Sequence, residues 1–482
     1  MPKDILINVE PQEVRVAVVS DGQLEEFYIE RPQDKTIVGN IYKGRIEAVL
    51  PSIGAAFVDI GLPKKGFLYL SEIEFAFEAA ELQHDDKAAH AEIKKGQEVL
   101  VQVVKEGFGT KGPRLSTHIG IAGRYLVLMP QDKQVGISRR IDDDAERRRL
   151  RAAFAEMKLP KDVGFIVRTA ASGRTKQELL RDAQFLYKLW KRLEKIAQDK
   201  KAPSLIYEEY DLILRAIRDS FTDDVSRLIV DSKADFYRIQ RFMKTFLSYL
   251  TRKVEFYRGD DLFGEKDIEK QINRIFESKV YLKSKAYLII EPTEGLVVID
   301  VNSGGFKKKL GQEETAFKVN CEAATEAARQ LALRDLGGII VIDFIDMERE
   351  SHRREVFNVL KKALSLDKAK YDILGISKFG VVEMTRERVH KTVQMLSYQS
   401  CPYCGGRGRI RSPMTMAIYA LKELKRSLRQ KSPAQVNLTL SPAVIEEILK
   451  DKENLRVIER KFRTRINLIS LPNAHIEEIK IS

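Results

Sequence analysis

Cysteine is almost missing, with three in 482 residues. That excludes a disulfide-stapled scaffold and points to a reducing compartment. Long apolar runs are missing too. None approaches transmembrane length, and the N-terminal MPKDILINVE has no apolar signal core, so a soluble cytoplasmic protein with no membrane span is expected. Negative charge is in deficit: 70 Asp and Glu stand against 83 Lys and Arg, a formal charge of +13. Such an excess favours a polyanionic partner, nucleic acid first, although a generally basic proteome produces the same figure. Apolar residues make up 44% of the chain, ample for the cores of three or more domains.

What is present is organised around Leu296–Met347. The stretch opens LVVIDVNSGG and closes GGIIVIDFIDM. Leu296 to Ile299 reads as a buried strand ending at Asp300, and Ile339 to Ile342 as a second ending at Asp343. Between them Phe317, Cys321, Ala324, Ala328 and Leu331 mark one face of a helix, which Gly337-Gly338 stops. One aspartate after an apolar run reads as a strand cap. Two mirrored endings favour a hard divalent cation, since magnesium leans on one or two carboxylates plus phosphate oxygens. Asn302, two residues beyond Asp300, projects to the same side and suits holding a water or a phosphate oxygen without adding charge.

In chain order, residues 4–35 read as short strands with a hairpin at Asp21-Gly22, too few to fold alone. Residues 36–120 carry many short β-rich runs separated by Gly and Pro, a small-barrel pattern. There Phe57 and Phe67 lie amid Lys43, Arg45, Lys64, Lys65, Lys105 and Lys111. Either Phe alone reads as core; aromatics among cations are what a single-strand surface needs. The Gly-Arg-Ile, Ala-Phe-Val-Asp-Ile-Gly and Gly-Phe-Leu elements resemble an S1-type RNA-binding domain, an OB-fold. The insert Glu74–Ile93 carries no assignable chemistry. In residues 121–214, charged helices are predicted over Ile141–Met157 and Lys176–Lys200. Arg168-Thr169, ending a strand, offers a fork and a hydroxyl to a terminal phosphate, or else a salt-bridged surface arginine. Arg139-Arg140 reads as a solvated pair. Beyond Asp343, Lys378, Arg386 and Arg388 read equally as a phosphate path or a solvated face.

Cys401-Pro-Tyr-Cys404-Gly-Gly-Arg-Gly is half a zinc knuckle. Cys321 lies on a helix face and His390 in a helical register, so the other half is expected from a second copy. A redox CxxC is the rival, but that motif opens a helix and this one runs into glycines. Residues 414–482 read as a small α/β appendix.

GNIYKGRI, AAFVDIG, GISRRI, IVRTA, VIDVNSGG, EETAFKVNCEAATEAARQLALRDLGGIIVIDFIDM and CPYCGGRG together resemble the ribonuclease E/G family over essentially the whole chain. A chain that stops soon after its small tail looks more like the G branch than the E branch. The resemblance implies an α/β multidomain (α+β) enzyme. Its parts are a degenerate RNase H-like domain (1–35 plus 215–280), an inserted OB-fold (36–120), a 5′-phosphate sensor domain (121–214), a DNase I-like catalytic domain (281–399), a zinc link (400–413) and a small C-terminal domain (414–482). It implies Mg²⁺ on Asp300 and Asp343, assisted by Asn302. It implies Zn²⁺ shared by Cys401 and Cys404 of two protomers in a homodimer, or a homotetramer. It implies RNA contacts from Phe57, Phe67 and Lys111, and a 5′-monophosphate pocket of Gly123, Val127, Arg168 and Thr169. A basic position of the family's OB loop is Phe108 here. The implied activity is cleavage of single-stranded RNA to 5′-phosphate and 3′-hydroxyl ends, in rRNA processing and mRNA decay. From the residues alone, a non-catalytic RNA-binding scaffold and a small-molecule phosphohydrolase stay open.

Overall fold

A computed structural model describes residues 3–72, 94–107, 111–246, 248–293, 295–305, 311–387, 397–431 and 433–482, without side chains at 245–249. Glu74–Ile93, Phe108, Arg388 and His390, named in the sequence analysis, lie outside these residues. The chain divides into two compact units, Met1–Val393 and Gln394–Ser482.

In the first unit, β1 (Lys3–Glu10), β2 (Glu13–Ser20) and β3 (Gln23–Glu30) form an antiparallel meander. Its first connection after β2 turns on Asp21 and Gly22, both with positive φ (49° and 76°), the backbone a tight hairpin requires. The barrel follows: β4 (Ile41–Leu50), β5 (Ala55–Asp59), β6 (Gly66–Tyr69), β7 (Glu98–Lys105) and β8 (Arg114–Ser116), closed by pairing of β4 with β7. Ile46, Ala56, Val58, Leu68, Val101 and Leu115 fill it. Gly66 has no substitute here, because a Cβ would stand 2.3 Å from Leu115 Cδ1.

A four-stranded sheet comes next, from β9 (Ile121–Ala122), β10 (Leu126–Met129), β11 (Val135–Ile137) and β12 (Gly164–Val167), in the order β11-β12-β10-β9. Helices α1 (Asp144–Glu156) and α2 (Lys176–Asp199) pack on it, α2 opened by a Thr175/Glu178 capping box. Strand β13 (Ser204–Tyr207) turns back to the barrel and pairs with β4. Strands β14 (Val225–Val230) and β15 (Val254–Phe256) then complete the N-terminal sheet, β14 lying parallel to β1. Helices α3 (Leu212–Ser220) and α4 (Lys233–Phe246) cover one of its faces and α5 (Ile268–Ile275) the other.

The last sheet of this unit has the order β16-β17-β18-β19-β21-β20. Its strands are β16 (Lys279–Tyr281), β17 (Tyr287–Pro292), β18 (Leu296–Asn302), β19 (Gly338–Asp343), β20 (Tyr371–Ile373) and β21 (Val381–Arg386). Helix α6 (Gln312–Leu333) joins the parallel pair β18 and β19, and α7 (Glu350–Leu364) packs beside it. The strands are not buried on both sides, as their apolar runs predict. Val297, Ile299, Val301, Ile340 and Ile342 face the two helices, while Leu296, Val298, Asp300 and Asn302 alternate onto an uncovered face. The helix buries Ala324, Ala328 and Leu331 of the expected face, and that face is wider than expected, running also through Ala316, Val319, Ala323 and Ala327, with Phe317 and Cys321 only half-buried at its margin. Small alanines let the helix lie close on the sheet.

In the second unit, β22 (Gln435–Leu440) lies between parallel β23 (Arg465–Ser470) and antiparallel β24 (Lys480–Ile481). It packs with α8 (Pro413–Gln430), α9 (Pro442–Lys450) and α10 (Lys452–Phe462). Among the described residues no helix is long and apolar enough to cross a membrane.

Candidate active site

Strands β18 and β19 pair in parallel with Asp300 directly opposite Asp343. Neighbouring strands lie about 4.8 Å apart, so residues 43 apart in sequence become nearest neighbours on the open face. Asn302 Nδ2 donates to Asp300 Oδ2 at 2.7 Å. Burial raises the Asp343 carboxyl above the ordinary range, and the negative charges of Asp300 and then Asp346 add to the rise. Asp346, three residues on in the same DFID run, went unremarked in the sequence. Asn320 was missed as well. Fully buried on α6, it pins the segment after β19, its Nδ2 donating to Ile345 O at 2.7 Å and its Oδ1 accepting from Ile345 N at 3.1 Å. A polar side chain in the alanine stripe of α6 was the available signal. On the far side, Gly380 leaves no slack: a Cβ there would stand 3.2 Å from Phe344 O and 3.4 Å from Asp346 Oδ1.

Among the described residues no group of three or more His, Cys, Asp or Glu side chains converges to hold a metal ion. The acid pair is therefore no closed protein cage. Two carboxylates with an uncovered side are the donor set with which magnesium pairs phosphate oxygens and water, and on that chemistry the residues fit. Lys378 is exposed in the turn before β21. Arg386 neither lines a path nor meets solvent. It is 4% exposed, its Nε donating to Asp367 at 2.6 Å and its Nη1 to Asp335 at 2.8 Å and to Leu336 O at 2.7 Å. Two acids distant in sequence need a buried partner, and Arg386 supplies it.

At the end of β12, Arg168 Nη1 donates to Gly123 O at 2.7 Å and Nη2 to Asp219 Oδ1 at 2.6 Å. Both arms of the fork are thus partnered. Burial pushes the Asp219 carboxyl up, but the Arg218 and Arg168 charges outweigh it and hold it well below the usual range. Gly123 is dictated by packing, since a Cβ would lie 2.7 Å from Asp182 Oδ2. The Asp182 carboxylate gathers the backbone N–H groups of Arg124, Tyr125 and Leu126. Thr169 is exposed, and Val127, half-buried on β10, faces Ile166 in register. Arg140 is not a free surface cation: its Nη2 donates to Ala369 O at 3.1 Å.

On the barrel, Phe57 and Phe67 are register partners on the outer face, ring centroids 6.0 Å apart and edge-on, and neither enters the barrel core. Tyr69 extends the strip at 5.0 Å from Phe67, with the Arg114 guanidinium 4.9 Å from its ring. Neither Tyr69 nor Arg114 was singled out in the sequence, although Phe67 and Tyr69 alternate. Lys111 is exposed, and the segment it begins is pressed onto Lys64-Lys65, because a Cβ on Gly112 would stand 1.8 Å from Lys65 O. Four of the other cations serve the fold. Lys43 pairs with Glu98 at 3.1 Å, Arg45 donates to Ala202 O at 2.9 Å, Lys65 pairs with Glu47 at 2.8 Å, and Lys105 with Glu387 at 3.0 Å.

In the second unit, Cys401 is exposed and Cys404 buried in a turn where Gly405, Gly406 and Gly408 all have positive φ. The Gly408 amide lowers the Cys404 thiol from its ordinary value against the opposing effect of burial, with Cys401 and the Gly406 and Arg407 amides assisting. Two thiols in a glycine turn fit half of a tetrahedral zinc site. His475 is no third donor: its Nδ1 accepts from Glu477 N at 3.1 Å and its Nε2 is engaged by Tyr403 O. The turn precedes α8 by several residues, unlike a redox motif that opens a helix.

The S1 RNA binding domain model matches residues 35–118, the ribonuclease E/G family model residues 120–389, and the family's thioredoxin-like domain model residues 400–482. The chain is 41% identical over 467 residues to ribonuclease G of Salmonella typhimurium, covering 95% of itself and 94% of that protein. It is 40% identical over 456 residues to ribonuclease G of Haemophilus influenzae, covering 94% and 93%. Against ribonuclease E of Escherichia coli it is 37% identical over 485 residues, covering 98% of this chain but 45% of the longer protein. The chain therefore belongs to the ribonuclease E/G family, most like ribonuclease G, and is an endoribonuclease that meets RNA through an S1 barrel and its ribonuclease domain.

Proposed function

We infer that this endoribonuclease is Mg²⁺-dependent, cuts single-stranded RNA to 5′-phosphate and 3′-hydroxyl ends, and favours RNA bearing a 5′-monophosphate. The observation that carries the reading is the in-register pairing of Asp300 with Asp343 on an uncovered sheet face, Asn302 beside them. Asp300 and Asp343 hold the magnesium ion. When bound, magnesium supplies Lewis-acid polarisation of the phosphate oxygens. Asn302 donates to Asp300 and so fixes that carboxylate, leaving its Oδ1 to accept from the attacking water. Water oxygen bonds to phosphorus as the P–O3′ bond breaks; the attacking water gives up a proton to solvent and the leaving 3′ oxygen takes one from solvent, so the phosphate stays on the 5′ end of the downstream product. Phe57, Phe67 and Lys111 clamp unpaired nucleotides, which present splayed bases for stacking.

Gly123, Val127, Arg168 and Thr169 receive the 5′-phosphate, Arg168 exchanging part of its bond to Asp219 for the phosphate oxygens. In the same reading, the sheet of β1–β3, β14 and β15 with its helices is an RNase H-like support, and the sheet carrying Asp300 is a DNase I-like catalytic domain. Cys401 and Cys404 of two copies hold one zinc ion and tie a homodimer. The implied setting is rRNA processing and mRNA decay in the cytoplasm. The experiment is cleavage of a labelled single-stranded RNA carrying a 5′-monophosphate or 5′-triphosphate, with and without Mg²⁺. The reading requires no cleavage without the ion and faster cleavage of the monophosphorylated RNA.

A further inference from the structure

The open face of the catalytic sheet does not end at the acids. Tyr287 is the register partner of Asn302, and Tyr281 is the register partner of Tyr287. These three side chains therefore form one row across three strands. The adjoining row runs Lys279, Ile289, Asp300, Asp343. The tyrosine rings stand 6.1 Å apart at 60°, and Lys279 Nζ lies 3.8 Å from the Tyr287 ring centre and 4.9 Å from that of Tyr281. Tyr281 is 67% exposed, although the opposite faces of the same strands do the packing, through Leu288 and Ile290. An exposed aromatic ring, Tyr281, with half-buried Tyr287 and Lys279 beside it, thus stands on the open face, one and two strands from β18, or about 5 and 10 Å. That is the reach of one or two nucleotides.

We propose that Lys279, Tyr281 and Tyr287 form a base-stacking subsite that seats a nucleotide flanking the cleaved phosphate of single-stranded RNA. The assignment rests on the reading that cleavage occurs at Asp300 and Asp343. Every base has a π-face, so the tyrosines accept any base, and the lysine takes the accompanying phosphate charge. The barrel strip holds RNA on another element, whereas this subsite fixes which phosphate of the strand meets the acids. Stacking strength then sets a modest preference for the base beside the cut.

The test is an abasic walk along a single-stranded RNA that the full-length protein cuts once. Wild type, Tyr281→Ala, Tyr287→Ala and Tyr281→Phe are compared. With wild type, one abasic position within about two nucleotides of the cut lowers kcat/KM about tenfold. Each alanine variant loses about that factor on intact RNA, and the abasic position then costs it little more. Tyr281→Phe keeps the ring and behaves as wild type. Tyr281 is exposed enough that its truncation leaves the fold intact, which a matching unfolding temperature verifies. If the alanine variants stay as sensitive to every abasic position as wild type, the subsite does not exist. Failure of the underlying reading shows separately: Asp300→Asn would still cut intact RNA, whatever the walk shows.

Discussion

Asp300 and Asp343 stand opposite each other in register on adjacent parallel strands, and Asn302 holds the first at 2.7 Å. Loss of hydration first, then the charges of Asp300 and Asp346, make Asp343 hold its proton more tightly than an ordinary aspartate. A raised folded-state pKa means that ionisation opposes folding. The cost is absent below the ordinary carboxylate range and is complete above the raised value. Asp343→Asn removes it. At neutral pH and without added divalent ions, the variant is expected to unfold at a higher temperature than wild type, by up to about 1 kcal/mol in stability. The difference should vanish as pH falls below the ordinary carboxylate range. Melting curves against pH measure it, and a variant less stable than wild type at neutral pH would show that ionised Asp343 does not oppose folding.

Asn320 reaches from α6 to both backbone polar groups of Ile345, which lies between Asp343 and Asp346. Asn320→Leu strands that N–H and C=O in a partly buried place. A loss of about 1–3 kcal/mol of stability is expected, with kcat falling more than KM rises, because the acid-bearing loop shifts while the RNA-gripping barrel does not. Unchanged kcat in a folded variant would separate the loop from the chemistry.

Much of this site is legible in the sequence. The mirrored apolar runs ending in Asp300 and Asp343 mark two strands, and the α6 pattern between them forces a parallel crossover. What could not be read was which face of those strands is covered. Val297, Ile299 and Val301 lie on one side of LVVIDVN and Leu296 and Val298 begin the other, and only the packing of the first set on the helices shows the second side open. Alternation likewise puts Phe57 and Phe67 on one face without saying whether that face points in or out. Arg386 looked like a surface cation because its partners, Asp335 and Asp367, lie 51 and 19 residues away. Gly123 carries no chemical signal of its own. Its necessity arises from Asp182, on another element.

Arg168 is already committed to Asp219, so the proposed phosphate pocket works by exchange. Arg168→Gln should remove the preference for 5′-monophosphorylated over 5′-triphosphorylated RNA while RNA without a free end is cut at the wild-type rate. Asp219→Asn should release the fork and tighten binding of the monophosphorylated end by several-fold. Competition kinetics with the two RNAs reads both. A preference that survives Arg168→Gln would place end-sensing elsewhere.

The proposed zinc link, half a tetrahedral site per chain, would tie oligomerisation to metal. Cys404→Ser, or a strong chelator acting on wild type, is expected to halve the mass in light scattering and to release one zinc ion per two chains. A dimer that persists without zinc would contradict the shared site.

The most direct measurement is cleavage of a labelled single-stranded RNA by wild type and by Asp300→Asn, with RNA binding measured on the same samples. The account predicts a rate lower by at least about a thousandfold in Asp300→Asn, with affinity for RNA within a few-fold of wild type. Cleavage at the wild-type rate by Asp300→Asn would contradict it.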